Sequence, residues 1–567
     1  MHQPNNKRLQ LPTRQKVKSG CKTCKTRRVK CDESRPACRR CVSTGRVCDG
    51  YGIWGGGGSP YGPPQSNKAL STYCTPVPLG SMTHEEQMYF DWFLDRTTKK
   101  FAGLFASEFW ETLVLQASAQ EPAVRHAVVA LSAAHRFDHS NSAWSIPTTY
   151  GLDAEQFTLQ QYNKAIHHLR WMKGSTHKNT LRVALVTCMI FVTLEYLRGQ
   201  YQMGSAHLRY GLQLLASMST TQPRSSLSPN VLSPAEDFAH NALIDSYSRL
   251  SIQAAMFGHV PSHMCIMTRD PQVHAIPYAF TSILDARRTL DDLLNRGYCL
   301  KRHFYNIRFS QSQSKTIDPE IAETQHGIVT DLVLWRKAYN ASIARLESEA
   351  NCKDKFGNTL LPLYHEMATI MASVCLSDDE MIFDSYTPNF LAILAKFIEL
   401  WNIWASASIQ IQEVKDLFST PESHGECHGF TVESGFIPPV YYTALKCRIP
   451  RLRRQAIRIL RAAPHREGVW NGLLLANVLE EVVKIEEEGI CSNDAETEQP
   501  MYTVMPTAKD FPAPEIDASK RISDVAVILP DEVMGDTFVG YKKKLEGGGW
   551  ATYKRRIEPF WAKCPPA

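Results

Sequence analysis

Six cysteines crowd one short stretch near the N-terminus: Cys21, Cys24, Cys31, Cys38, Cys41 and Cys48. Their spacing is C-x2-C-x6-C, repeated once after six intervening residues. Thiolate sulfur suits zinc, which takes four ligands in a tetrahedron at about 2.3 Å. A unit of three cysteines cannot complete such a shell. Two zinc ions need eight ligand positions, and six thiolates fill them when two of the thiolates bridge. The spacing therefore predicts one binuclear cluster with two Zn²⁺ per chain and all six cysteines as ligands. No histidine lies inside the block, which excludes a Cys/His finger. The duplication implies two similar halves about a pseudo-twofold. Six thiolates and two Zn²⁺ sum to −2, a charge that neighbouring Lys and Arg offset.

The charge distribution points the same way. Residues 1–50 carry 14 Lys and Arg against 3 Asp and Glu, leaving 49 basic and 54 acidic residues for the rest of the chain. A basic head on a slightly acidic body meets a polyanion through the head. The polar, basic N-terminus lacks the apolar core of a secretory signal. The most apolar run, Val183 to Leu194, is too short to span a bilayer and reads as a core helix. The expectation is an intracellular protein without membrane contact, in which thiols stay reduced and bind metal before they pair as disulfides. The sequon at Asn340 is then idle.

Stepping outward from the cysteines, residues 1–18 form a basic disordered arm with Lys7, Arg8, Arg14, Lys16 and Lys18. Residues 19–50 form the cysteine module. Residues 51–83 are rich in Gly, Pro and Ser and cannot bury a core, so they read as a flexible linker. From 84 to 565 the pattern is helical. Val124, Ala127, Val128 and Leu131 follow i, i+3, i+4, i+7 behind Pro122. Further helices are expected at 180–198, 202–217, 236–257, 278–297, 323–349, 387–413, 437–462 and 467–488, with a hinge at Gly199. Only Val525–Leu529 reads as a strand, so the body is expected to be all-α.

The run C-K-T-C-K-T-R-R-V-K-C-D-E-S-R-P-A-C-R-R-C-V-S-T-G-R-V-C resembles the fungal zinc binuclear-cluster DNA-binding domain, matching it at every cysteine. The resemblance implies that the first and fourth cysteines, Cys21 and Cys38, bridge the metals and that Pro36 supports the turn between halves. It implies that the basic run between Cys24 and Cys31 forms a short helix in the major groove, at a CGG triplet. Lys25, Arg27, Arg28 and Lys30 occupy that run. A helix so short does not form alone in water, so the cluster must fix it. Arg28 is the expected base reader, because a guanidinium forks onto guanine O6 and N7, worth roughly 1–3 kcal/mol of discrimination. Arg27 shares the reading or grips phosphate. Lys22, Lys25 and Lys30 meet phosphate or balance the cluster, and Arg39, Arg40 and Arg46 face the DNA backbone.

The body resembles, more loosely, the fungal-specific regulatory domain that accompanies these clusters. Leu194-Glu195-Tyr196-Leu197-Arg198-Gly199, Ala206-His207-Leu208 and Gly211-Leu212 carry the likeness, with Cys447-Arg448-Ile449-Pro450, Leu452 to Ile457 and Glu467 to Trp470. That domain is all-helical and mediates contacts with co-regulators, and it transfers no catalytic residues. The chain also lacks H-E-x-x-H, G-x-S-x-G, a phosphate loop and a dinucleotide fingerprint, so no catalysis is expected. His167, His168 and His207 are expected to pack or face solvent. His424, Cys427 and His428 lack an evident fourth ligand for a metal. The acidic run Ser377 to Glu380 reads as a helix start ahead of an activation segment.

The expected architecture is a small irregular zinc-stabilised DNA-binding domain with two short helices, a flexible linker, then a large all-α domain. The expected function is a nuclear transcription regulator that binds double-stranded DNA. The alternative is a zinc-buffering or thiol redox-sensing protein, which has no need of cations between its cysteines. No heptad run follows Cys48, which leaves homodimerisation open and allows monomeric binding or pairing through the body.

Overall fold

The computed structural model describes residues 23–24, 27–32, 34, 38–44, 82–105, 107–140, 149–171, 178–220, 234–258, 275–310, 317–348, 352–408, 430–463, 465–488, 504–506, 516–530, 535–545 and 549–557. The basic arm, the linker up to residue 81, Cys21, Lys22, Lys25, Pro36, Arg46, Cys48, His424, Cys427 and His428 lie outside the described residues. The chain divides into two compact units, Met1–Pro76 and Val77–Ala567.

In the first unit, a four-residue helix, α1, spans Arg39–Val42. The second unit begins with α2 (His84–Trp92) behind Thr83. The Thr83 hydroxyl accepts from the Glu86 amide at 3.2 Å, while the Glu86 carboxylate accepts from the Thr83 amide at 3.0 Å. This reciprocal cap satisfies two otherwise orphaned donors and fixes where the helix starts. Then come α3 (Val114–Gln120), α4 (Pro122–Ser140), α5 (Thr149–Trp171), α6 (Lys178–Leu197), α7 (Tyr201–Thr220) and α8 (Pro234–Met256). Val124, Ala127, Val128 and Leu131 of α4 are all fully buried, as their spacing requires. Helix α6 is long and apolar enough by composition to cross a membrane, yet 72% of its most apolar window is buried inside the body.

Two glycines shape this helical layer. Gly199 ends α6 at φ +76°, a left-handed backbone that lets Gln200 donate to the Glu195 carbonyl at 2.8 Å. A Cβ on Gly211 would stand 2.4 Å from the Tyr247 ring. Its absence lets α7 lie against α8, where the Tyr247 hydroxyl donates to the Leu185 carbonyl of α6 at 2.9 Å.

The next layer is α9 (Ile283–Ser310), α10 (Pro319–Ser348), α11 (Cys352–Val374) and α12 (Thr387–Ser408). Trp335 pins three of these helices. Its indole N–H donates to the Ala286 carbonyl of α9 at 2.9 Å, and His365 of α11 stacks on its ring at 5.1 Å. Helix α11 contains Pro362, a helix breaker that hid this element from sequence reasoning.

The stretch 437–462, expected as one helix, is two: α13 (Ile437–Lys446) and α14 (Pro450–Ala462). Pro450 starts the second, and residues before a proline avoid helical backbone. Helix α15 (Gly472–Glu486) follows, capped by Asn471.

The body is largely helical, but the all-α expectation fails at two places. Three two-residue strands, β1 (Phe430–Thr431), β2 (Arg466–Glu467) and β3 (Trp470–Asn471), form one small sheet. An antiparallel meander follows, β4 (Ile522–Ile528), β5 (Thr537–Lys544) and β6 (Trp550–Ile557), paired in chain order. In β5, Thr537, Val539 and Tyr541 are buried and alternate with more exposed neighbours. The lysines and arginines that crowd β5 and β6 masked this period-two signal.

Buried ion pairs join the elements. Glu433 accepts from Arg287 of α9 at 2.6 Å and lies 3.0 Å from Arg249 of α8. Glu486 bonds Arg448 at 2.8 Å and Arg453 at 2.6 Å, and accepts from the Ile522 amide at 2.9 Å. The second cluster ties the start of the meander to the helices.

Candidate metal centre and nucleic-acid interface

Among its described residues, the first unit has almost no apolar interior. Its buried residues are Cys24, Cys38 and Cys41, packed only against Val29 and Cys31 among the described residues. Three thiols cannot hold a chain by the hydrophobic effect, so a fold at this site needs another source of free energy. Structural zinc supplies that in modules of this size.

The sulfurs fit a metal. Cys24 Sγ lies 3.6 Å from Cys38 Sγ and 3.9 Å from Cys41 Sγ. Tetrahedral zinc with Zn–S near 2.3 Å sets neighbouring sulfurs about 3.8 Å apart, and the two distances bracket that value. Cys38 Sγ lies within 4.8 Å of the Cys24 and Cys41 sulfurs and also of the Cys31 sulfur and an Asp32 oxygen. A sulfur close to both sets of atoms is the arrangement a bridging thiolate requires.

Asp32 was not singled out from sequence. Its carboxylate accepts from the amides of Arg39 and Arg40 at 3.0 Å each, and Ser34 donates to it as well. The hydrogen bonds from Ser34 and the Arg40 and Arg39 amides hold it well below the usual carboxylate range. The loop after Cys31 thereby grips the N-terminus of α1, which positions Cys38 and Cys41. An Asp directly after the third cysteine, with Ser two residues on, is the sequence signal that identifies this cap.

Between Cys24 and Cys31 the backbone turns back early. Arg27 donates to the Thr23 carbonyl and Val29 to the Cys24 carbonyl, both at 3.1 Å. Arg28 sits between them at φ +55°. This is a helix C-terminal motif with Arg in the left-handed position that glycine usually takes. The helical turn that includes Thr23 and Cys24 therefore closes at Arg28, and Val29 and Lys30 are not helical. The helix expected through Lys30 is shorter than the resemblance implied. Arg27, Arg28, Lys30, Arg39 and Arg40 are all exposed, and Arg27 reaches Thr44 of the second half at 3.5 Å.

Other candidates resolve into packing. His207 meets the Tyr162 hydroxyl at 2.9 Å, and burial lowers its pKa. His167 accepts from the Trp171 indole at 2.8 Å, and His168 stacks on His126. In the run Ser377 to Glu380, Asp379 caps a helical turn, and Glu380 bonds Lys446 at 2.6 Å and Arg448 at 3.0 Å. That run is a helix start anchored in the body.

A thiol-lined basic module on one unit and a large helical body on the other define a metal-organised binding protein with a separate regulatory-sized domain. Residues 19–53 match the fungal Zn(2)-Cys(6) binuclear cluster domain, and residues 88–376, just over half the chain, match the fungal specific transcription factor domain. The chain belongs to the fungal zinc-cluster transcription factor family. The aspercryptin biosynthesis cluster-specific transcription regulator atnN of Emericella nidulans is 33% identical over 39% of this chain and 37% of its own length. The transcription regulator lscL of Purpureocillium lilacinum is 32% identical over 33% of this chain and 46% of its own. The transcriptional regulatory protein moc3 of Schizosaccharomyces pombe is 48% identical over 48 residues, 8% of this chain and 9% of its own. The chain thus spans less than half the length of these relatives. No solved structure matches it.

Proposed function

We propose that this protein is a nuclear, sequence-specific DNA-binding transcription regulator, whose six-cysteine cluster holds two zinc ions. The observation that carries it is the Cys24, Cys38 and Cys41 thiol triad at zinc-compatible spacing, with Arg27 and Arg28 exposed beside it. Cys21 and Cys38 bridge the metals, and Cys24, Cys31, Cys41 and Cys48 complete the two shells. The closeness of the Cys38 sulfur to both sets of atoms supports this assignment.

Zinc supplies the fold of the module, and the chain's own residues do the recognition. Arg28, carried past the end of a closed helical turn, reads guanine in a CGG-like triplet. Arg27, Lys22, Lys25 and Lys30 grip phosphate and position it. Residues 51–83 connect the module to the body, which presents contacts to co-regulators. A zinc store needs the thiols alone, whereas Arg27, Arg28 and Lys30 stand exposed on the module, which favours the DNA-binding reading.

Mapping the chromatin sites occupied by the protein in cells tests this. An enriched CGG-containing motif at promoters supports it. Occupancy without any common motif, or no nuclear occupancy, contradicts it.

A further inference from the structure

Strand β6 lies at the edge of the C-terminal meander. It pairs with β5 along its length, and among the described residues no strand pairs with its other side. Thr552 to Arg556 are all exposed. An edge strand presents alternating N–H and C=O groups outward, ready for another chain.

The charge on this sheet is lopsided. Its three strands carry Lys542, Lys543, Lys544, Lys554, Arg555 and Arg556 against the single carboxylate of Asp524. They do so on a body that is otherwise slightly acidic. Lys542, Arg555 and Arg556 neighbour Asp524, Glu481 and Asp536. Lys543, Lys544 and Lys554 have no carboxylate partner among the described residues, and Lys554 lies 4.1 Å over the Phe538 ring. Trp550 and Tyr553 add exposed aromatic surface on the same strand, at 40% and 42%.

Like charges brought opposite each other destabilise strand pairing, so a second copy of β6 is a poor partner for this edge. An acidic strand is a good one. We propose that β6 accepts an extended acidic segment of a partner protein as a fourth strand. Alternate side chains of the incoming segment then meet Lys554 and Arg556 on one face, and Tyr553 and Arg555 on the other. A DNA duplex would meet the same cations but would leave the outward N–H and C=O groups of the strand unused.

The test is fluorescence anisotropy of the full-length, zinc-loaded protein with a labelled octapeptide of alternating Glu and Val. The peptide should bind, and the double variant K554E/R556E should weaken it roughly tenfold. The neutral variant K554Q/R556Q should fall between them. Methylating every second peptide amide, at unchanged charge, should abolish binding. Equal binding by the methylated peptide overturns strand addition in favour of charge alone. Equal binding to wild type and both variants places the contact elsewhere and overturns the proposal. Loss of affinity for a CGG duplex in K554E/R556E, with peptide affinity unchanged, makes the sheet a nucleic-acid face and also overturns it.

Discussion

The amide of Val29 donates to the carbonyl of Cys24 at 3.1 Å, and the loop it closes carries Arg28 at φ +55°. The same bond joins Gln200 to Glu195 around Gly199 at φ +76°. One motif thus ends a helix in each unit. In the body, glycine meets its backbone demand without strain. In the module, an arginine takes the strained position.

A left-handed backbone costs an L-residue about 1–2 kcal/mol. Arg28→Gly should therefore hold zinc at least as tightly as wild type in a chelator competition. The same substitution should cut preference for a CGG duplex roughly 10- to 100-fold. Arg28→Ala should also lose preference while keeping the fold. Preference that survives both substitutions would show that another residue reads the base.

Elemental analysis should return two zincs per chain. Cys38→Ser should release both metals together, because in the proposed cluster its sulfur bridges them. Loss of one metal alone would mean two separate sites and would sink the shared-thiolate cluster.

The Glu486 carboxylate lies between the buried Arg448 and Arg453 guanidiniums. Glu486→Gln removes the charge that both arginines need, and breaking a buried pair costs about 3–5 kcal/mol. A large fall in Tm is expected. Burial pushes this carboxyl up, but Arg453 and Arg448 hold it down at about 2, below its ordinary 4.5. Its contribution to stability is therefore complete above pH 4.5 and is lost as pH falls toward 2. Unfolding curves of wild type and E486Q should converge across that window; curves that stay parallel would contradict this role.

Exposed Lys30 should act through phosphate alone. Lys30→Ala should weaken DNA binding of every sequence alike and reduce the slope of log affinity against log salt by about 0.9. A change in sequence preference would make Lys30 a base reader.

How much of this was legible beforehand depends on the residue. Cys24, Cys38 and Cys41 were, because ligand counting constrains them wherever the backbone runs. Arg28 stood out as the candidate reader by its place in the basic run, but its left-handed backbone did not, since arginine carries no propensity for that conformation. Asp32 was missed because one carboxylate in a basic loop resembles a solvated charge. In the body, the spacing on α4 announced a helix, whereas Pro362 concealed α11 and Lys542 to Lys544 concealed β5. Arg448 and Arg453 stood out as a motif, yet their shared partner Glu486 lies too far along the chain for any local pattern to join them.

In the proposed function the zinc cluster presents its cations to a specific DNA sequence. The most direct test is the affinity of the full-length, zinc-loaded protein for two duplexes that differ only in one CGG triplet, before and after chelation. Roughly hundredfold tighter binding to the CGG duplex is expected, with the preference abolished when zinc is stripped. Equal affinity for the two duplexes, or no DNA binding by a protein that holds both zincs, would contradict it.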